Sequence, residues 1–477
     1  MTTLLKAIQT KDSLTENGMA TNSTSLNNCV DLFFQIGAMR GQDKVRLINA
    51  FTKAFGENPL TAMRLLFWAR DVRGGAGERQ IFKDIISYLA ENRTEVLAKN
   101  LNLITEFGRW DDLLVLIGTK LEPAVLELIA KGLADKNGLC AKWMPRPNVD
   151  NREKKRAATA IRKHLGLSPK EYRKMLVKNS NTVEQLMCAK NFAAIDYSKL
   201  PSKAMSDYMK AFSKNDCERF GAYITSVEKG EVKINASALY PYDVIKNMRQ
   251  GNTQGANVQW DALPNYMEGN NERVLPLVDV SSSMDQSVGD SASLNVLQVA
   301  ISLGLYISER NEGPYKNAFI TFHSSPQLIT VNGSLSERYS QMARSPWGGS
   351  TNLTSSFNLI LNKAVESSVP VEEMPTMLII FSDMEFDSTD RGWNETAQQM
   401  IERKYAAAGY TMPKIVYWNL ASRGDKNKPV HFDKSGTSLV SGFSPSLLTN
   451  LLSGKDITPL SMMMSVVDGE RYKAITI

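Results

Sequence analysis

An apolar run that ends in an aspartate and a serine-rich turn constrains the fold of this chain more than any other stretch. The run occupies residues 274–278 and continues directly into Asp279-Val-Ser-Ser-Ser283. A short buried strand that ends in polar side chains is typical of open α/β sheets, which bind ligands at the carboxyl ends of their strands. The sequence therefore predicts an α/β domain with a ligand site at this edge.

Strand-like and helix-like segments alternate after this point. The strand-like segments are 274–280, 318–322, 377–381, 414–418 and 438–441, and the helical patterns are 294–308, 353–365, 395–408 and 445–452. Strands that alternate with helices indicate a doubly wound parallel sheet.

The region before the sheet has a different pattern. From about residue 44 to residue 226, apolar residues recur at three- and four-residue spacing, which predicts successive amphipathic helices. Helix pairs in series are typical of an α-solenoid, which could close into a ring, although a single irregular helical domain stays open as an alternative. Arg73-Gly-Gly-Ala-Gly-Glu-Arg79 lacks the lysine of a P-loop and follows a helix, so we interpret it as a tight turn.

The length of 477 residues exceeds what one hydrophobic core usually supports. Residues 251–271 are rich in Gly, Asn and Gln, and this composition predicts a linker or surface excursion. We therefore expect a multidomain protein with an all-helical domain over 1–260 and an α/β domain over 261–477.

Further oxygen donors follow other segments of the predicted sheet. Thr351 lies in the loop Trp347-Gly-Gly-Ser-Thr351, and Asp383 ends an apolar strand. Asp-x-Ser-x-Ser alone is more often a helix cap than a metal site. Together with Thr351 and Asp383 it favours a site for Mg²⁺ or another divalent cation, because such cations bind oxygen ligands. The predicted ligands are Asp279, Ser281, Ser283, Thr351 and Asp383.

The charge of this ligand set predicts what completes it. Two carboxylates and neutral hydroxyls leave an open coordination position electrophilic, so we expect an acidic group of a partner as the last ligand. This constellation resembles the metal-ion-dependent adhesion site of von Willebrand factor A domains. The resemblance covers about residues 272–477 and implies that fold and a metal-dependent adhesion function.

The first half carries a second resemblance. Phe67-Trp-Ala-Arg-Asp-Val-Arg, Gly108-Arg-Trp-Asp-Asp and Lys142-Trp-Met-Pro-Arg146 look like the helical region of an uncharacterised family that ends in the same A domain. That family is similar in layout to the Ro ribonucleoproteins, in which a TROVE module of helical repeats forms a ring. The resemblance implies binding of small noncoding RNA or of single-stranded RNA ends.

The charge distribution agrees with an RNA partner. The net charge of +6 divides into +9 before Arg273 and −3 from Arg273 onward, and the segment 142–178 by itself carries +9. A concentrated basic segment is typical of phosphate binding, although it also occurs on solvated helix faces. Trp143, His164 and Tyr172 are interleaved with these charges, and we expect them to be available for stacking on bases. The predicted RNA-binding residues are Lys142, Arg146, Arg152, Lys154, Lys155, Arg156, Arg162 and Lys163.

These observations predict a non-enzymatic RNA-binding protein whose A domain holds a magnesium ion. A protein-adhesion scaffold without RNA is the alternative. A metal-dependent hydrolase that uses Glu385 and Asp387 as a second acidic pair has less support, because the histidines His164, His323 and His431 are far apart in sequence. The absence of a long apolar run, of a secretory signal and of CxxC spacing predicts a cytoplasmic protein that does not span a membrane.

Overall fold

The computed structural model of the chain describes residues 12–289, 291–345, 350–389, 391, 395–424, 426–453 and 457–477. The chain forms two compact units. The sheet unit takes the described residues of Met1–Asn58, Tyr240–Asn257 and Leu263–Gly469, and the helical unit takes Pro59–Leu239, Val258–Ala262 and Glu470–Ile477. The domain boundary between residues 260 and 261 stays a prediction.

The helices run along the described chain in this order: α1 (Asn28–Ile36), α2 (Lys44–Glu57), α3 (Pro59–Arg70), α4 (Arg79–Asn92), α5 (Thr94–Lys99), α6 (Leu103–Phe107), α7 (Glu122–Ala134), α8 (Gly138–Trp143), α9 (Arg152–His164), α10 (Pro169–Ser180), α11 (Val183–Cys188), α12 (Ser202–Asn215), α13 (Cys217–Glu228), α14 (Pro241–Arg249), α15 (Thr253–Asp261), α16 (Val296–Arg310), α17 (Leu335–Ala343), α18 (Leu353–Glu366), α19 (Ala397–Ala408), α20 (Leu448–Leu451) and α21 (Pro459–Val467). A 3-10 helix, Trp110–Leu116, lies between α6 and α7. No helix among these described residues is long and apolar enough to cross a bilayer.

The strands are β1 (Ser13–Leu14), β2 (Ala20–Thr21), β3 (Val274–Asp279), β4 (Ser287–Val288), β5 (Ser291–Asn295), β6 (Ala318–Phe322), β7 (Gln327–Thr330), β8 (Met377–Ser382), β9 (Lys414–Asn419) and β10 (Thr437–Ser441). Six of them form one sheet in the order β10-β9-β8-β3-β6-β7, and β1-β2 and β4-β5 form separate pairs.

The main sheet is mixed, whereas the sequence predicts a parallel one. Strands β10, β9, β8, β3 and β6 are parallel, and β7 pairs antiparallel with β6. Three residues of β7 are exposed and one is half-buried, so this strand lacks the apolar run that marks the others. An edge strand of this kind gives little signal in hydrophobic periodicity.

The central strands are predicted by their composition because they are covered on both faces. Every residue of β3 and β8 is buried, which accounts for their unbroken apolar runs. Val278 pairs with Phe381 and Asp279 pairs with Phe322, so the ends of β3, β8 and β6 lie at one edge of the sheet. The predicted turn from Asp279 into a helix is less direct than expected, since the chain forms the β4-β5 pair before α16 begins.

The N-terminal part of the chain packs on the sheet. The Oγ atom of Ser441 donates to the carbonyl of Phe33 (2.6 Å), and the Nδ2 atom of Asn419 donates to that of Phe34 (3.0 Å). Gly37 ends α1 at a position where a Cβ atom would fall 2.7 Å from the backbone of Ser441. Helix α1 therefore requires glycine there to approach β10 closely.

The helical unit confirms the turn interpretation of residues 73–79. The chain leaves α3 at Arg70 and enters α4 at Arg79. The N–H of Ala76 donates to the carbonyl of Trp68 (3.1 Å), and a Cβ atom on Gly75 would fall 1.9 Å from that same oxygen. Residues 73–79 therefore fold back closely on the end of α3, as a tight turn does.

The predicted linker at 251–271 is wrong over part of its length. Residues Thr253–Asp261 form α15, and Gln259 and Trp260 are fully buried. The polar composition hid this helix, because a buried glutamine and a buried glycine stand where apolar side chains would mark a helix face.

Candidate functional site

The carboxylate of Asp279 is held at the end of β3 without any contact with solvent. Its Oδ1 atom accepts from the N–H of Ser281 (2.9 Å), and its Oδ2 atom accepts from the hydroxyl of Ser382 (2.6 Å). The register of β3 with β8 explains the second contact, because Val278 pairs with Phe381 and the following residues are therefore neighbours. Ser382 is a site residue that the sequence analysis did not include.

The serine turn after Asp279 is ordered by its own side chains. The hydroxyls of Ser281 and Ser283 are 2.9 Å apart, and a 3-10 turn over Ser282–Met284 separates Ser281 from the residues that follow. Met284 is fully buried and anchors the turn in the core. Ser281 and Ser283 therefore lie on the same side of the turn, as a pair of hydroxyl ligands requires.

Asp383 follows β8 and is nearly fully buried. Its Oδ1 atom accepts from the N–H of Glu385 (3.2 Å). Its Oδ2 atom has no hydrogen-bond partner, although the Nε atom of Arg423 lies 3.3 Å away as an ion pair. A buried carboxylate oxygen without a hydrogen bond costs free energy, and such atoms in a folded protein call for a ligand or a functional explanation.

The loop around Thr351 is only partly described. Residues 346–349, which include Trp347 and the two glycines of the predicted loop, lie outside the described residues. Thr351 itself is buried, and its carbonyl accepts from the N–H groups of Leu353 (3.2 Å) and Asp387 (3.0 Å). The second bond ties Thr351 to the loop that carries Asp383.

Burial raises the pKa of both carboxylates, and Asp383 also perturbs Asp279. Burial and then the charge of Asp383 raise the pKa of Asp279 to about 7. Burial also raises the pKa of Asp383, against smaller opposing effects of Arg423, the N–H of Glu385 and the Ser283 hydroxyl. Both shifts mean that negative charge is disfavoured at this edge unless a cation joins it.

The donor set fits a divalent cation. Carboxylate and hydroxyl oxygens are the ligands that Mg²⁺ takes, and Mg²⁺ retains several waters, so few protein ligands suffice. Among the described residues, no group of three or more His, Cys, Asp or Glu side chains is arranged to hold a metal ion. Any metal at Asp279 and Asp383 would therefore depend on the hydroxyls as well, and the metal site stays a prediction.

The structure adds Arg423 and Glu16, which the sequence analysis missed. Arg423 contacts Asp383 and also donates from Nη2 to the carbonyl of Ser283 (2.5 Å). Glu385, which the sequence analysis named only for the hydrolase alternative, is buried, and its Oε2 atom accepts from the N–H of Glu16 (2.6 Å). No local pattern in the sequence marks Arg423 or Glu16.

The predicted RNA-binding residues lie in the helical unit. Arg152, Lys154, Lys155, Arg156 and Lys163 are exposed on α9. Within the described part of the chain, none of these five has a carboxylate within ion-pair distance. Helix α9 therefore carries a dense group of exposed cations without carboxylate partners.

The remaining basic residues of that prediction are less accessible. The Nζ atom of Lys142 pairs with Glu184 (2.6 Å), so its charge is compensated. Arg146 is half-buried, and burial lowers its pKa. Arg162 is half-buried and donates from Nη1 to the carbonyl of Leu167 (2.9 Å).

The aromatic residues of the basic segment differ in accessibility. Tyr172 is fully buried, so the expectation that it stacks on bases is wrong. Trp143 is half-buried, and the guanidinium of Arg109 lies 3.6 Å from its ring centroid. His164 is exposed, with its Nε2 atom 3.5 Å from Glu127. Only Trp143 and His164 are therefore near the surface.

Comparison with known proteins places both halves of the chain in families. Residues 15–131 and 122–273 match the model described as "Domain of unknown function (DUF2828)", and residues 273–473 match "Domain of unknown function (DUF7788)". The "Uncharacterized protein L728" of Acanthamoeba polyphaga mimivirus is 31% identical over 508 residues, which cover 96% of this chain and 87% of that protein. The two family matches meet at residue 273, directly before β3.

Proposed function

This chain belongs to the family of the domain of unknown function DUF2828, and we propose that it is a non-enzymatic binding protein with two binding surfaces. One surface is the sheet edge, where a divalent cation offers a coordination position to an acidic group of a partner. The other is the group of exposed cations on α9, which binds RNA.

The observation that carries the first part is the buried Oδ2 atom of Asp383, which accepts no hydrogen bond, at the end of the strand next to that of the buried Asp279. Two buried carboxylates, of which Asp383 raises the pKa of Asp279, are unfavourable in isolation, and a divalent cation would remove that cost. Asp279, Asp383 and the hydroxyls of Ser281, Ser283 and Thr351 are the residues that would hold the cation. Bound there, it would supply a positive centre for a carboxylate or phosphate.

The strand order supports the comparison with von Willebrand factor A domains. Numbered within the main sheet along the chain, the order is 6-5-4-1-2-3, with the third strand antiparallel at the edge. The first strand, β3, carries Asp279, and the order in which the chain adds strands reverses beside it, which is where open α/β sheets bind ligands. We infer an A-type domain from this order and from the ligand set.

Direct titration tests the cation site. We expect Mn²⁺ or Mg²⁺ to bind the full-length protein with one site by calorimetry, and Asp279→Asn to weaken binding at least 100-fold. Asp285→Asn is the matched control, because it removes an exposed carboxylate from the same turn. Equal binding by the wild type and Asp279→Asn would refute the site.

The RNA surface is supported by the five exposed cations on α9. Phosphate binding by such a surface releases counterions and therefore weakens steeply with salt. The resemblance to TROVE modules indicates that the nucleic acid is RNA. We infer a related helical arrangement that binds single-stranded RNA ends or small noncoding RNA.

Charge reversal tests this surface. Changing Arg152, Lys154, Lys155 and Arg156 to Glu should reduce affinity for single-stranded RNA at least 100-fold at 0.1 M salt, measured by fluorescence anisotropy. The control reverses the four exposed lysines Lys210, Lys214, Lys229 and Lys233, which changes the net charge of the same unit equally. Equal losses in both variants would show that only overall charge matters.

The alternatives have separate outcomes. A protein that binds the cation but shows no salt-dependent affinity for RNA would be an adhesion scaffold. Cleavage of RNA or phosphoesters by the purified protein with Mg²⁺ or Mn²⁺, lost in Asp279→Asn, would identify a hydrolase and overturn the non-enzymatic proposal.

A further inference from the structure

Arg423 joins three parts of the candidate cation site. Its Nη2 atom donates to the carbonyl of Ser283 (2.5 Å), its Nε atom lies 3.3 Å from Oδ2 of Asp383, and its Nη1 atom lies 3.4 Å from Oε2 of Glu16. One guanidinium therefore links the serine turn, the second carboxylate and the N-terminal segment.

The contact between Arg423 and Asp383 is an ion pair without a hydrogen bond. Neither the Nε atom of Arg423 nor the Oδ2 atom of Asp383 has a hydrogen-bond partner. A charged pair that lacks this geometry is weaker than a bonded one. The guanidinium can therefore leave Asp383 without breaking a hydrogen bond to it.

The same guanidinium opposes a divalent cation. Asp383 is fully buried, and Arg423 is mostly buried, so the charges near Asp383 are poorly screened. A second positive charge bound to Asp383 would be repelled by Arg423 at this range. Cation binding and the Arg423–Asp383 pair are therefore expected to exclude one another.

Glu16 offers Arg423 an alternative partner. The backbone of the N-terminal segment is fixed, because the hydroxyl of Thr15 donates to the carbonyl of Phe386 (2.6 Å) and the Nδ2 atom of Asn17 donates to that of Glu385 (2.7 Å). The Glu16 side chain itself is 62% exposed and already 3.4 Å from Arg423. A small change of rotamer would let it take the guanidinium fully.

We propose that Arg423 and a divalent cation compete for Asp383, and that Glu16 receives Arg423 when the cation binds. This inference rests on the proposed cation site. It makes Arg423 the residue that sets cation affinity and makes the N-terminal segment sensitive to whether the cation is present.

Calorimetric titration of the full-length protein with Mn²⁺ tests the competition. We expect Arg423→Gln to tighten binding about tenfold or more, and Glu16→Gln to weaken it several-fold, because Glu16→Gln leaves Arg423 on Asp383. In the Arg423→Gln background, Glu16→Gln should have no further effect. Glu312→Gln is the control for loss of an exposed carboxylate in the same unit.

The other outcomes are distinct. Unchanged or weaker binding in Arg423→Gln would overturn the competition, and an equal effect of Glu16→Gln in both backgrounds would make Glu16 a separate ligand and overturn the coupling. If no variant shows binding that depends on Asp279, the cation site fails and the inference fails with it. Circular dichroism in EDTA checks folding, and Arg423→Lys, which retains a charge but not the three contacts, should give intermediate affinity if Arg423→Gln does not fold.

Discussion

Two buried aspartates in this molecule have opposite electrostatic surroundings. In the helical unit, Asp112 accepts from Nε of Arg70 (2.7 Å) and from the N–H of Arg109 (2.9 Å), and Arg70 and Asp112 are 2% and 0% exposed. In the sheet unit, Asp279 is equally buried, but its partners are one N–H and one neutral hydroxyl, and its charged neighbour is Asp383.

The difference is one of charge compensation. Arg70 donates to Oδ2 of Asp112, and Nζ of Lys83 (3.6 Å) and Nε of Arg79 (3.9 Å) lie near its Oδ1 atom, which accepts no hydrogen bond, so cations of its own unit neutralise Asp112. At the sheet edge the guanidinium of Arg423 pairs with Asp383, whereas the partners of Asp279 are an N–H and a neutral hydroxyl. In the proposed function, a cation compensates the negative charge that remains there. Unlike the helical unit, this edge should gain stability when a cation is added.

Breaking the neutralised pair should have the largest effect. Arg70→Met leaves the Asp112 carboxylate buried without its main partner and should destabilise the protein by about 3–5 kcal/mol in urea unfolding followed by circular dichroism. Lys199→Met, which removes an exposed ion pair, should change stability by less than about 1 kcal/mol. Asp279→Asn, measured without metal, should leave the free energy of unfolding unchanged or raise it. A decrease as large as that of Arg70→Met would show that the two aspartates do not differ in this way.

Adding the cation should have the next largest effect. At a Mg²⁺ concentration 100 times the dissociation constant, the free energy of unfolding should rise by about 2.7 kcal/mol, because only the folded protein holds the site. The measurement is urea unfolding with and without Mg²⁺, followed by circular dichroism. Asp279→Asn should show no Mg²⁺-dependent gain, and Arg70→Met should retain the full gain if it folds.

The smallest expected effect concerns the partly exposed ion pair of Glu184 with Lys142. Burial raises the pKa of Glu184, but hydrogen bonds that include one from Lys142 outweigh it and lower the pKa from 4.5 to about 2. A lowered pKa in the folded state adds stability above about pH 4.5 that is lost as the pH falls toward 2. Because the pair is partly exposed, the contribution should stay below about 1 kcal/mol.

Comparison of the wild type with Glu184→Gln measures this contribution. Their difference in unfolding free energy should shrink as the pH is lowered from 5 to 2.5. A difference that is constant with pH would mean that Glu184 contributes through packing and not through its charge.

Several features of the fold follow from local pattern. The bounds predicted for β3, β6, β8 and β9 agree with the structure to within a residue or so, since these strands are buried on both faces and their apolar runs are unbroken. The antiparallel β7 and helix α15 were not predicted. An exposed edge strand, and a helix whose buried residues include glycine and glutamine, carry weak hydrophobic periodicity.

The candidate site divides in the same way. Asp279 and Asp383 were predicted because each directly follows a buried strand, and parallel strands bring such residues to one edge. Arg423 and Glu16 were not predicted as partners, because 407 positions separate them along the chain.

The amino-acid sequence by itself determined which segments become helices and buried strands, which oxygen donors stand at strand ends, and where positive charge concentrates. These depend on local periodicity and on the type of each residue. Only the tertiary structure decided that α1 packs against β10, that Tyr172 is unavailable to a ligand, and that Arg423 reaches Asp383. These depend on the path of the chain through space, which brings together residues hundreds of positions apart and fixes which charges are compensated.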